Sequence, residues 1–132
     1  MKAIPLLLLF CLSTASAEVL SESSKDLGFG FRQVVRSETN PPGHWEGVGH
    51  FVYFYYKDLQ LGRCTTYSIS PAGTLALYED GPTADIVLFD VGTETMTIVH
   101  EFGGSLATGF EWRKNKASVT LEDGQIIEVK LR

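Results

Sequence analysis

The chain has no block of basic residues, and this absence argues against one large class of function. Its 132 residues contain 11 lysines and arginines against 16 aspartates and glutamates, so the formal net charge is −5. Nucleic-acid binding depends on lysine and arginine contacts with phosphates, so this balance disfavours a nucleic-acid partner. A length of 132 residues suits one domain, and 44% hydrophobic residues are enough to fold it.

The chain also lacks an apolar run long enough to span a bilayer, but its N-terminus has the layout of a secretory signal. Lys2 gives a positive start, residues 4–12 form a short apolar run, and Ala15-Ser16-Ala17 follows. This order is typical of a signal peptide that is cleaved after a small residue. We expect residues 1–17 to be removed and the mature protein to be secreted or periplasmic. Lipid attachment at Cys11 is disfavoured because a bulky residue precedes it.

Cysteine is scarce, and removal of the signal leaves Cys64 alone. A single thiol cannot close an intramolecular disulfide, so the domain must be stable through its core. No Cys–His spacing suggests structural zinc, and we expect no metal site. We interpret Cys64 as a small buried hydrophobe on a strand, with a reactive thiol or a disulfide to another chain as alternatives.

Helical periodicity is missing from the mature chain beyond Trp45, where short alternating segments are separated by Gly, Asn, Asp and Pro. Strands are predicted at about 46–56, 61–70, 74–79, 84–91, 95–102, 107–113, 117–122 and 125–131. Short connections between successive strands are typical of hairpins. We therefore predict an all-β fold over 43–132, an antiparallel up-and-down meander of about eight strands that forms a closed barrel or a barrel-like sandwich.

Residues 18–42 are expected to form a lead-in to this domain. Apolar and polar residues alternate near 28–36, which predicts one extra strand there. A short helix around 21–27 is the alternative interpretation of the polar residues that come before. The lead-in ends in a turn containing two prolines, from which the chain enters the meander.

Alternation within the strands predicts which side chains are buried. One face of each of the last two strands is apolar, and these faces consist of Ala117, Val119 and Leu121, and of Ile127, Val129 and Leu131. In the strand at 95–102, Met96 and Ile98 are expected on the buried face. The segment 50–56 is different, because both of its faces are apolar or aromatic. Such a strand is either covered on both sides or exposes aromatic side chains to a partner.

A short motif at the start of the meander, Gly43-His44-Trp45-Glu46-Gly47-Val48-Gly49, resembles the opening of calycin barrels such as lipocalins, fatty-acid-binding proteins and avidins. Its G-x-W-x-G-x-G form is also similar to nitrobindin-type haem barrels. The resemblance implies structural roles for Gly43 and Trp45, with Trp45 closing one end of the barrel. Nitrobindin-type barrels bind haem through a histidine near the chain end, and this chain has none after His100. We therefore expect no cofactor.

Candidate binding residues cluster on the aromatic strand and on the strand that follows it. They combine apolar bodies with hydroxyl, imidazole or guanidinium tips, a mixture that orients small ligands, and they are His50, Tyr53, Tyr55, Tyr56, Arg63 and Tyr67. His50 and Tyr56 share one face of the strand, and Tyr53 and Tyr55 share the other. The alternative interpretation is ordinary aromatic packing between strands.

Motifs of catalysis are absent, including a nucleophile elbow, a phosphate-binding glycine loop and an H-x-x-x-H metal spacing, so we do not expect an enzyme. The leading hypothesis is a secreted or periplasmic protein that holds a small apolar or aromatic ligand inside a β-barrel. The alternative is a protein-binding module, such as a periplasmic inhibitor of a protease or lysozyme, for which the acidic balance would suit a basic target. A hollow interior favours the first and a filled interior the second. The sequence leaves the oligomeric state open.

Overall fold

The computed structural model describes residues 19–39 and 48–131, and over these ranges the chain forms eleven strands and no helix. The expected signal peptide 1–17 and the motif residues Gly43 and Trp45 lie outside the described residues. No helix within the described ranges is long and apolar enough to cross a membrane. The predicted all-β class is confirmed.

The strands form three antiparallel sheets. The first sheet contains β1 (Val19–Gly28), β2 (Phe31–Thr39), β3 (Val48–Tyr56) and β4 (Leu59–Gly62). The second contains β5 (Tyr67–Ile69), β6 (Leu75–Glu79), β7 (Ile86–Asp90) and β8 (Thr95–His100). The third contains β9 (Ala107–Trp112), β10 (Lys116–Leu121) and β11 (Ile126–Lys130). Within each sheet, every strand pairs with the next along the chain, as in a meander.

The expected closed barrel is not confirmed, because among the described residues the strands are hydrogen-bonded as three separate sheets. The strand expected at 61–70 divides at the boundary between the first two sheets. Its first part, β4, pairs with β3, and its second part, β5, pairs with β6. In the connection, Arg63 O accepts a hydrogen bond from Gly81 N at 2.8 Å and Thr66 O accepts one from Glu79 N at 2.9 Å. The connection that follows β4 is therefore hydrogen-bonded to residues 79 and 81, at and just after the end of β6.

The N-terminal segment adds two strands to the first sheet. The strand expected near 28–36 is present as β2, displaced by three residues at each end, and β1 occupies 21–27, where a short helix was the alternative. Gly28, Phe29 and Gly30 turn the chain between them, all with positive φ. Glycine adopts this conformation without the steric cost that a β-carbon brings. The side chains of β1 are mostly polar and exposed, as suits the edge of a sheet.

The second sheet lies between the other two and is covered on both faces. Toward the first sheet, its residues join an aromatic cluster that includes Phe31, Phe54, Tyr56, Tyr78 and Phe89. Toward the third, they join an aliphatic cluster that includes Leu77, Ile86, Ala117, Val119 and Val129. Successive side chains of a strand point to opposite faces, so a sheet covered on both sides needs apolar residues at consecutive positions. The run Ile86-Val87-Leu88-Phe89 in β7 meets this requirement.

Burial confirms the predicted apolar face of β10, since Ala117, Val119 and Leu121 are buried. The expectation for β8 is wrong, because Met96 is 47% and Ile98 54% exposed. Met96 and Ile98 lie on the same face of the sheet as the buried Val87 and Phe89. They remain exposed because β8 is the edge strand of its sheet. Val99 on the opposite face packs against the aliphatic cluster instead. Alternation identified the two faces of β8 but not which one is covered.

Candidate functional site

The face of the first sheet that points away from the aromatic cluster carries interleaved arginine and aromatic side chains. We call it the arginine–tyrosine face, and it consists of Arg32 and Arg36 from β2, Phe51, Tyr53 and Tyr55 from β3, and Arg63 after β4. The β2–β3 register sets Arg32 opposite Tyr55 and Arg36 opposite Phe51. Directly opposed and diagonal side chains on one face of a sheet are close enough to contact.

Arg36 is the centre of this face. Its guanidinium carbon lies 4.5 Å from the ring centroid of Tyr53 and 5.8 Å from that of Tyr55. Nη2 donates to Tyr55 Oη at 2.8 Å, and Nε donates to Glu22 Oε1 at 3.1 Å. The hydrogen bond to Tyr55, aided by Glu22 and opposed by burial, raises the pKa of Arg36. The charge of Arg36 is therefore permanent, and its position is fixed by stacking and hydrogen bonds together.

Tyr53 and Tyr55 supply the tyrosine rings of the arginine–tyrosine face, and both are held by hydrogen bonds. Tyr53 is only 8% exposed, and its hydroxyl donates to Glu38 Oε2 at 3.0 Å. Burial, followed by the hydrogen bond to Glu38, raises the pKa of Tyr53, so its hydroxyl stays protonated at neutral pH. Tyr55 accepts from Arg36 and donates to Gln60 Oε1 at 3.1 Å. Both rings are held by partners at their hydroxyl ends as well as by the stacked guanidinium.

The remaining arginines extend the face toward solvent. The guanidinium carbon of Arg32 lies 4.6 Å from the Tyr55 centroid, and its Nε donates to Lys57 O at 3.2 Å. The exposed Arg63 lies 4.9 Å from the Phe51 centroid. Stacking orients a guanidinium plane and leaves N–H groups at its edge able to bind a planar acceptor such as a carboxylate. The face is thus an ordered surface of cations and aromatic rings.

The structure separates the six candidate binding residues into three groups. Tyr53, Tyr55 and Arg63 belong to the arginine–tyrosine face. Tyr56 lies in the aromatic cluster, where its ring centroid is 5.1 Å from that of Phe31. Tyr67 packs against the same cluster, with its ring stacked on Phe54 at 4.5 Å.

His50 and Arg63 line a small open cleft at the junction of the first two sheets. The cleft measures about 280 Å³ and also contacts Phe51 and Glu79. His50 Nδ1 is 2.8 Å from Ser37 Oγ on the neighbouring strand. Among the residues that the structure describes, this cleft included, no three His, Cys, Asp or Glu side chains form a group that could hold a metal ion.

Sequence reasoning missed Arg32 and Arg36, although both lie in the segment where an extra strand was expected. The alternating residues that predicted this strand, Phe31 among them, lie on the opposite face, which points toward the aromatic cluster. The arginines occupy the intervening positions, two residues on either side of the buried Val34. Their spacing of four residues places both on one face of a strand, but what that face contacts depends on the pairing of β2 with β3, which the sequence does not specify.

Comparison with known proteins adds little to this description. No family model matches the chain, and no solved structure matches it. Among curated proteins, the chain is similar to large ribosomal subunit protein uL3 of Citrifermentans bemidjiense, with 24% identity over 81 residues. The match covers 61% of this chain and 38% of that protein, so the chain spans less than two fifths of the relative's length. This level of similarity does not place the chain in a family.

Proposed function

We propose that this chain is an exported, non-enzymatic protein-binding module whose partner docks on the arginine–tyrosine face. The proposal rests on one observation: the side chains of this face are already ordered without a partner, because the arginines are stacked on tyrosine rings and held by hydrogen bonds. Tyrosine and arginine dominate the binding energy of protein interfaces. Side chains already fixed before docking lose less conformational entropy when the partner binds.

The interior of the molecule supports this proposal over a ligand-holding barrel. The space between the first two sheets is occupied by aromatic rings, with Phe31 and Phe54 stacked at 5.5 Å and Phe31 edge-on to Phe89 at 6.2 Å. The three sheets are also hydrogen-bonded separately. A filled interior leaves an outer face as the place for binding, and the more exposed side chains of that face are Tyr55, Arg32 and Arg63.

The charges on the arginine–tyrosine face indicate what kind of partner surface would bind there. The arginine–tyrosine face displays three guanidinium groups, and Glu22 and Glu38 pair with the central one. Arg32 and Arg63 make no ion pair among the described residues. We propose that these two arginines bind carboxylates on an acidic surface of an extracytoplasmic protein. The chain itself has a negative net charge, but at contact distance the attraction between arginines and carboxylates outweighs this longer-range repulsion, which salt screens. A ribosomal role like that of uL3 is not proposed, because a chain of net charge −5 is repelled by RNA phosphates.

Site-specific photocrosslinking in the compartment to which the protein is exported tests this proposal. A photoreactive phenylalanine derivative is placed at Tyr55, with an identical derivative at Thr120, an exposed residue on the third sheet, as the matched control. We expect one protein to be crosslinked from position 55 and none from position 120.

Affinity for the partner identified in this way is then measured with purified proteins. Tyr55→Ala and Arg32→Gln are each expected to weaken binding about tenfold or more, as hot-spot residues do, whereas Thr120→Ala leaves it unchanged. Circular dichroism checks that each variant is folded. Equal crosslinking from both positions, or unchanged affinity in the two face variants, would show that the partner docks elsewhere.

A further inference from the structure

A groove between the second and third sheets combines apolar and cationic side chains. It lies between the connection that follows β5 and the hairpin that joins β9 to β10, and measures about 410 Å³. Its apolar wall consists of Pro71, Leu75, Trp112 and Leu131, and Arg113 and Lys114 stand beside it. A second cleft of about 520 Å³ shares Leu75 and Leu131 with it and adds Leu88, Asp90 and Lys130. The two clefts are therefore neighbours that share part of the apolar wall.

The apolar wall is held in place by hydrogen bonds. Trp112 Nε1 donates to Ser68 Oγ on β5 at 2.9 Å, so the indole bridges the two sheets. Ser70 Oγ accepts from Leu75 N at 3.1 Å, and Leu131 N donates to Asn115 O at 2.9 Å. The half-buried indole is thereby fixed with part of its surface in the groove. A rigid, partly apolar concavity of this size is typical of sites for small molecules.

Cationic side chains outnumber carboxylates along the two clefts, although the chain as a whole is acidic. Three of the eleven lysines and arginines line these clefts, namely Arg113, Lys114 and Lys130. Arg113 Nη2 is 3.2 Å from Glu111 Oε2, and both side chains are exposed. Lys114 and Lys130 form no ion pair among the described residues. The groove thus combines an apolar wall with cations that are not fully neutralised.

We propose that this groove binds a small organic anion with a flat apolar body, that is, an aromatic carboxylate. The ring packs on Trp112 and Leu131, and the carboxylate lies between Arg113 and Lys114, where arginine binds it through two parallel N–H groups. Exposed ion pairs such as that of Arg113 with Glu111 contribute little stability, so the ligand carboxylate displaces Glu111 at small cost. This site goes beyond the proposed function, because the arginine–tyrosine face belongs to the first sheet.

The test uses 1-naphthoate as the probe and heteronuclear NMR of the mature protein as the readout. The chain has two tryptophans, and the Trp45→Phe variant assigns the remaining indole signal to Trp112. We expect naphthoate to shift the Trp112 indole resonance and the amides of 70–75 and 113–116 in a saturable manner. Shifts that are spread over all three sheets, or a Trp112 resonance that does not move at saturation, would overturn the proposal.

Charge is tested separately from apolar contact. The double variant Arg113→Gln/Lys114→Gln keeps most of each side chain, and we expect it to weaken naphthoate binding about fivefold. Lys25→Gln, which removes an exposed lysine from β1, is the matched control and should leave the affinity unchanged. 1-Naphthalenemethanol, a neutral analogue, should bind more weakly than naphthoate by a similar factor. Equal affinity for the two compounds, or no loss in the double variant, would show that the groove does not recognise an anion.

Discussion

Replacement of Phe54 by alanine tests directly whether the space between the first two sheets is solidly packed. Phe54 is fully buried, and its ring is 5.5 Å from Phe31, 4.5 Å from Tyr67 and 5.6 Å from Tyr78, measured between centroids. These neighbours come from three different strands. Removal of the ring therefore leaves a void that no single side-chain rotation can fill.

The expected loss follows from the degree of burial. A fully buried phenylalanine replaced by alanine costs about 3–5 kcal/mol in the free energy of unfolding, because transfer and cavity terms add. With a urea dependence of about 2 kcal/mol per M for a domain of this size, the unfolding midpoint should fall by about 2 M. Such a loss is a large part of the total stability of a small domain, so the variant is expected to be folded only in the absence of denaturant or at low concentrations of it.

Urea unfolding followed by circular dichroism measures this loss, and Phe102→Ala provides the matched control. Phe102 is 46% exposed and lies in the connection after β8. Its backbone N–H donates to Asp85 Oδ1, a bond that alanine retains. We expect the control to lose less than about 1 kcal/mol, as surface substitutions do. If Phe54→Ala lost no more than Phe102→Ala, the space between the sheets would not be packed as described, and the argument for a filled interior would fail.

Three further predictions concern the thiol, an inter-sheet hydrogen bond and the N-terminus. Burial, chiefly, raises the pKa of Cys64 to about 12, so a thiol reagent at pH 8 should modify the native protein far more slowly than the unfolded one. Because the folded state favours the neutral thiol, this contribution to the unfolding free energy is fully present below about pH 9 and is lost as the pH rises toward about 12, so the stability of Cys64→Ala should fall less over this range. Tyr67 Oη donates to Gln33 Oε1 at 2.6 Å, so Tyr67→Phe and Gln33→Ala should each cost about 1–2 kcal/mol, and a double variant that cost the full sum would contradict the coupling. Sequencing of the exported protein should begin at Glu18, and retention of the apolar run would refute signal cleavage.

The strands were largely predictable, because each hairpin carries its own turn residues and alternation. The expected strands at 107–113 and 117–122 correspond to β9 and β10 within one residue at each end. β1 was not predictable, since its mostly polar side chains show no alternation and only its register with β2 brings Glu22 to Arg36. The three-sheet arrangement was also hidden. It depends on the bend at 63–66, where nothing in the residue types marks a change of partner strand.

The candidate site was predictable in part. The two-sided aromatic pattern of 50–56 correctly marked Tyr53 and Tyr55 as sharing a face distinct from that of Tyr56. Which of these faces points outward was not readable from β3 alone, because both are rich in rings. Burial resolves it, since Phe54 and Tyr56 lie in the aromatic cluster. The arginines that complete the outer face come from β2, and only the strand register brings them into contact with the tyrosines.

The position of the second sheet between two apolar clusters has a consequence for the rates of backbone hydrogen exchange. Amides in β6 and β7 are paired with strands on both sides and are shielded above and below by the other two sheets. Water and base can reach them only when both outer layers have moved away, which amounts to opening most of the molecule. The edge strand β1, in contrast, can detach from β2 while the rest stays folded. Exchange in β6 and β7 therefore reports the global stability of the molecule, whereas exchange in β1 reports only local fraying.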